Sequence, residues 1–183
     1  MTTPKPRPAQ DTDVLVVGGG TAGFGAALAA ARHGLKVTLV EATSKIGGVM
    51  AFCPGMPWGA AYPAGRIVGG VFEELTRRLE AMDPPAAETR PCALENVGPE
   101  ILYDPDIATL TMFEMLEEAG VDLRLNTQAL DPESKANRIV GLRCSDRRGS
   151  YRLRPGIVID ASGDGEISAR AGVPFSLGDG KGN

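Results

Sequence analysis

The chain has 183 residues, 43% hydrophobic and 23% charged, with a formal net charge of -4. That is enough sequence for one globular domain with a sizeable core. The acidic balance, without any run of Lys or Arg, argues against nucleic acid as a partner, and no apolar run approaches the ~20 residues that cross a bilayer, so a membrane partner is not expected either.

Residues 1–11 begin with MTTPKPRPAQ, a Pro-rich tail expected to be disordered. It lacks the apolar stretch of a secretory signal, which points to the cytoplasm. One domain is expected over 12–177. DVLVV (Asp13 to Val17) is an apolar run of the kind that forms strands covered on both faces, and it ends at Gly18. From about Thr21 to His33 the Ala-rich sequence favours a helix with Gly34 as its C-cap, and KVTLVE supplies a second strand. Together these make a βαβ unit with a right-handed crossover.

Residues 43–70 are so broken by Gly and Pro that a long functional loop is expected. VFEELTRRLEAM then puts Val71, Phe72, Leu75, Leu79 and Met82 near one face of an amphipathic helix. Residues 83–103 read as another exposed excursion. Asp104-Pro105 combines an N-cap with proline at the first helical position, and Gly120 closes that helix. VDLRLN alternates like a strand, RIVGLRCS and SYRLRP form an antiparallel hairpin within a meander over about 127–155, and GIVID returns to the buried apolar type. Residues 178–183 are expected to be a truncated or flexible end. The order predicts an α/β fold: a Rossmann-like, mostly parallel sheet with helices on both faces and a small antiparallel meander.

The first strand runs into Gly18-Gly19-Gly20-Thr21-Ala22-Gly23, a G-x-G-x-x-G turn that opens a helix. In such a turn Gly18 permits the tight bend, Gly20 lets backbone approach a pyrophosphate, and Gly23 allows close packing of helix on strand. The helix N-terminus, with Thr21 and Ala22 in its first turn, offers free N–H groups to phosphates. Glu41 stands at the end of the second strand, where its carboxylate can accept from ribose hydroxyls and repel a 2′-phosphate. Ala42 follows it, with no Arg to neutralise such a phosphate. Taken alone, the glycine turn could simply pack and Glu41 could be a solvated charge. NAD and FAD are served equally by these residues.

DVLVVGGGTAGFGAALAAARHGLKVTLVEA followed by KIGG resembles the start of the glutathione-reductase-type FAD-binding fold. With EATSKIGG, IVGGVFEEL, DPDIATLTMFEMLEEAGVDL and VIDASGDGEISARAGVPF, the sequence is similar to the FAD-dependent oxidoreductases that carry a DATGD turn. The resemblance implies FAD as cofactor, Gly47 and Gly48 packed along the dinucleotide, and an approach to it by Ala161-Ser162-Gly163 and Asp164, Ser162 taking the place of Thr. It also implies hydride or electron transfer between a small organic substrate and flavin. Family members are longer, so a second chain or a further C-terminal region is expected to complete the site.

The catalytic residues are unknown from sequence. His33, the only histidine, sits at a helix end, where it meets the helix dipole. Cys53, Cys92 and Cys144 are widely spaced without C-x-x-C, so they are expected to be reduced thiols with no metal. Trp58, Tyr62 and Arg66 share the long loop with Cys53, and packing or solvation is their simplest role. Two alternatives stand beside the flavoenzyme: an NAD-binding, thiazole-synthase-like relative, and a non-catalytic nucleotide-binding subunit.

Overall fold

Val14 to Val17 and Val37 to Val40 are buried at every position. In the computed structural model, which describes residues 7–53, 55–59, 68–92, 98–176 and 178, they pair in parallel inside a six-stranded sheet. The elements are β1 (Gln10–Val17), α1 (Thr21–Arg32), β2 (Val37–Val40), α2 (Val49–Phe52), β3 (Trp58–Gly59), α3 (Val71–Glu80), β4 (Ala87–Arg90) and β5 (Glu100–Tyr103). They continue with α4 (Pro105–Glu118), β6 (Asp122–Arg124), β7 (Gln128–Lys135), β8 (Arg138–Asp146), β9 (Gly149–Asp160) and α5 (Glu166–Arg170). The large sheet runs β6-β2-β1-β9-β8-β7, parallel from β6 to β9 and antiparallel from β9 to β7.

Alternation along β1 splits the core in two. Val14 and Val16 face a layer built from α1, α3 and α4, in which Leu28, Leu79, Met112 and Met115 are fully buried. Each such side chain stabilises the fold by about 1.5–3 kcal/mol relative to exposure. Leu15 and Val17 face the other way and pack with Leu142, Cys144, Tyr151 and Leu153 of the meander and with Ile167 of α5. The second face is therefore covered mainly by the sheet's own antiparallel strands. The Asp104 carboxylate caps α4, accepting from the amides of Asp106 at 2.9 Å and Ile107 at 3.0 Å. Beyond α4, Gly120 turns the chain at φ +72°.

Four expectations are corrected. Order begins inside the stretch 1–11: the Arg7 guanidinium donates to both oxygens of Asp146 at 2.9 Å, and Gln10 pairs with Leu153. Residues 1–6 and 179–183 lie outside the described residues. The segments 43–70 and 83–103 are not simple loops, because β3, β5 and β4 zip into a three-stranded antiparallel sheet whose Trp58 stacks on Tyr103 with ring centroids 4.0 Å apart. SYRLRP and GIVID are one strand, since β1 pairs along it from Leu153 to Asp160. GIVID is not covered on both faces: Ile157 is 61% exposed, and Val158 and Ile159 are partly buried.

Candidate functional site

The carboxyl ends of β1 and β9 lie side by side, with Val17 opposite Asp160. Their two turns consequently meet. The Ala161 amide donates to the Val17 carbonyl at 2.8 Å, and a Cβ added to Gly18 would stand 2.3 Å from the Ala161 carbonyl oxygen. Gly18 has φ +97°, which glycine adopts without the cost other residues meet there. At Gly23 an added Cβ would fall 1.8 Å from the Gly18 carbonyl oxygen, so helix α1 seats on the turn only because that side chain is missing. Gly20 differs: an added Cβ would meet nothing within 4 Å. It borders open space.

Glu41 locks the turn from the other side. Its Oε2 accepts from the Gly19 amide and its Oε1 from the Thr43 amide, both at 2.7 Å. The double-glycine segment lies along the same turn, through the Gly47 amide donating to the Gly19 carbonyl at 2.8 Å and a parallel bridge between Gly20 and Gly47. Gly47 and Gly48 both have positive φ, +108° and +55°. The approach is tight at Gly48, where an added Cβ would lie 3.1 Å from the Gly20 Cα.

The third wall is held by Asp160. Its Oδ1 accepts from the Ser162 hydroxyl at 2.7 Å and the Ser162 amide at 3.2 Å, while Oδ2 accepts from the Ser168 amide at 2.7 Å. Burial pushes the carboxyl upward, but these hydrogen bonds outweigh it and hold Asp160 below the usual aspartate value. The Ser162 oxygen in turn accepts from the Glu166 amide at 3.2 Å at the start of α5.

These walls enclose a groove of about 380 Å³. Gly18, Gly20, Thr21, Ala22, Glu41, Gly48, Ala161, Ser162 and Gly163 line it. Gly23 and Gly47 are buried behind the wall rather than on it. Ala42 and Asp164 are exposed and do not line the groove. Sequence reading missed Thr43, Lys45, Val49 and Phe52 on the wall and Asp160 behind it. The signal for Asp160 was present, a strand-end carboxylate directly before a small-residue turn.

Lys45 brings a positive charge to the groove: its Nζ lies 4.9 Å from the Phe52 ring centroid and 3.5 Å from Asp106 Oδ1. A second positive source is α1 itself, which starts at Gly20 with no side-chain cap and no acidic residue in its first turn. Its leading amides and partial positive charge face the groove unspent. An elongated ligand with an anionic middle fits this arrangement: glycine backbone along its length, a helix N-terminus at its charge and a carboxylate at one end. A broader recess of about 1170 Å³ by Pro84, Tyr103 and Ile107 is lined by neither glycine turn.

The remaining candidates lie elsewhere. His33 is exposed at the C-cap of α1. Cys53 is exposed, whereas Cys144 is buried and its thiol is pushed up to about 11 by burial. Trp58 is 8% exposed and packs between Tyr103 and Phe72. Tyr62 and Arg66 lie outside the described residues, among which no cluster of His, Cys, Asp and Glu could hold a metal. No helix among them is long and apolar enough to cross a membrane.

Comparison with known proteins gives four findings. The family model described as FAD dependent oxidoreductase matches residues 13–183. Digeranylgeranylglycerophospholipid reductase 1 of Methanococcoides burtonii is 28% identical over 182 residues, covering 90% of this chain and 41% of that protein. The 4-oxocyclohex-2-ene-1-carboxylate 5-dehydrogenase of Sinomonas cyclohexanicum is 35% identical over 137 residues, 70% of this chain and 23% of its own length. Among solved structures, a geranylgeranyl bacteriochlorophyll reductase-like protein of Thermoplasma acidophilum superposes with a TM-score of 0.63 at 21% identity, covering 92% of this chain and 44% of that one. The chain thus spans less than half the length of each of these proteins.

Proposed function

The chain belongs to the FAD dependent oxidoreductase family, and from that premise we propose that it forms the adenine-dinucleotide side of a flavoenzyme that moves hydride or electrons between a small organic substrate and FAD. The observation that carries this reading is the meeting of the Gly18 and Ala161 turns on one groove with Glu41 at its edge. In this reading Gly20, Thr21 and Ala22 hold the pyrophosphate against the N-terminus of α1, with Lys45 as a second charge. Glu41 accepts from the ribose, and Gly48, Ala161, Ser162 and Gly163 admit the chain of the cofactor by presenting little side chain.

FAD, when bound, supplies the redox chemistry. The residues named here bind and orient it. Val49 is 61% and Phe52 is 52% exposed beside the groove, which supports a further segment, from the same protein or a second chain, closing over that end. The cytoplasm is the compartment this reading assigns, with thiols such as Cys144 kept reduced.

Competition binding tests the proposal. ADP should displace FAD from the purified chain, because the contacts gather on the adenosine and pyrophosphate, and FMN should not. Preference for NAD over FAD, or displacement by FMN alone, overturns the assignment.

A further inference from the structure

Ser162, Gly163 and Asp164 form the corner of the third wall, and among the described residues no main-chain hydrogen bond joins any of them to another main-chain group. Such bonds resume on either side: the Ala161 amide donates to Val17 before the corner, and the Gly165 carbonyl accepts from Ala169 after it. Gly163 and Gly165 take positive φ, +92° and +68°, so neither strand nor helix geometry carries the chain across. The Asp160 side chain holds the corner instead. One of its oxygens takes the Ser162 hydroxyl and amide, and the other reaches past the corner to the Ser168 amide. Ser168 belongs to α5, whose Ile167 is fully buried with Leu142 and Leu153. The carboxylate therefore ties a groove-lining turn to a fixed body.

The Ser162 hydroxyl is fully engaged within this arrangement. A hydroxyl has one proton to donate. That proton goes to Asp160 Oδ1, and the oxygen accepts from the Glu166 amide. Ser162 thus keeps no proton for a ligand, and what its wall presents to the groove is main chain, at Ser162 and Gly163. The position of that main chain depends on a carboxylate that does not itself line the groove. Each Asp160 oxygen accepts from a backbone amide, so an Asn in its place must turn its NH₂ group against one of those donors.

We propose that Asp160 is a positioning residue for the dinucleotide: acting through Ser162 from behind the wall, it fixes the corner that lines the groove and so sets the affinity for the cofactor. This role rests on the flavin reading above. Neighbouring charges do not replace it. Asp164 and Glu166 carry the same sign, and Arg170, the one cation of α5, is directed to the Leu130 carbonyl and to Glu166.

Flavin-fluorescence titration of the whole chain with FAD tests this through a double-mutant cycle. Asp160→Asn should bind FAD about tenfold more weakly and Ser162→Ala about fivefold, whereas the double variant should lose no more than about twofold beyond Asp160→Asn, because the two residues act as one unit. Ser162→Thr, which keeps the hydroxyl, should recover most of what Ser162→Ala loses. Ile167→Val removes one methyl under α5 and leaves the carboxylate bonds in place, so it should lower stability while FAD affinity stays within about twofold. Additive losses in the cycle, unchanged binding by Asp160→Asn, or an equal loss in Ile167→Val overturns the proposal. If Asp160→Asn does not fold, the serine pair decides: equal affinity of Ser162→Ala and Ser162→Thr overturns it. A parent chain that does not bind FAD sinks the flavin reading instead. The hold of Asp160 on the corner is then read by amide hydrogen exchange, which should quicken over residues 162–166 in ligand-free Asp160→Asn, and unchanged exchange there sinks that as well.

Discussion

The Gly19 amide donates to Glu41 Oε2 at 2.7 Å, so the glycine turn after β1 is fastened to the end of β2 before any ligand arrives. With Oε1 taken by Thr43, both carboxylate oxygens already serve the protein's own backbone. Glu41→Gln leaves one amide facing an NH₂ group. We expect a loss of about 1–3 kcal/mol of stability without ligand. Urea unfolding of the ligand-free chain checks this, and an unchanged midpoint would show that Glu41 matters to ligand alone.

Gly18 and Gly20 should separate stability from binding. Gly18→Ala forces a side chain to φ +97° and against the Ala161 carbonyl, for which we expect about 2–4 kcal/mol of destabilisation. Gly20→Ala meets open space and should cost no more than about 1 kcal/mol at the helix N-cap. Its FAD affinity should nevertheless fall about tenfold or more, since the new methyl occupies the groove. Thermal unfolding paired with FAD titration of each variant distinguishes the two roles.

Asp160 links the Ala161 turn to pH. Its folded-state value lies below the ordinary 3.8 for an aspartate, so the unfolded chain takes up the proton first as pH falls. The stabilisation is complete above about pH 5 and is lost as pH drops through the ordinary value toward the depressed one. Asp160→Asn should be less stable than the parent at neutral pH, with the gap closing in acid. Denaturant titrations across that range read it, and a constant gap would contradict the linkage.

Thiol chemistry should divide by burial. At about pH 8 iodoacetamide should modify exposed Cys53 and spare Cys144, whose thiol is held near 11 within the meander core. Peptide mapping before and after unfolding in urea gives the comparison, with Cys144 becoming reactive only after unfolding.

Much of this was readable in the chain itself because local rules and tertiary packing agree there. The Gly18 to Gly23 spacing works through steric absence, which the letters state directly, and the Asp104-Pro105 start of α4 is decided by its own residues. Other features depend on partners distant in sequence. Thr43 and Lys45 join the groove only because Glu41 and Gly47 are both pinned to Gly19. The β3-β5-β4 sheet consists of strands of two to four residues, too short to leave a periodic trace.

Pro155-Gly156 looked like a break and is not one. β8 pairs with β9 only as far as Leu153, so Pro155 lies where that neighbour no longer needs its missing N–H, while β1 runs on beside it.

That unbroken β9 makes the protein unequally tolerant of changes in length. Residues added at the bend between Asp146 and Gly149 only enlarge an exposed tip. One residue inserted between Leu153 and Asp160 would swap the two faces of everything downstream and advance the Ala161 corner by about 3.3 Å. Natural or engineered length variation should accumulate at the tip and be purged from the shaft, a pattern that a scan of single-codon insertions would draw out along twelve consecutive positions.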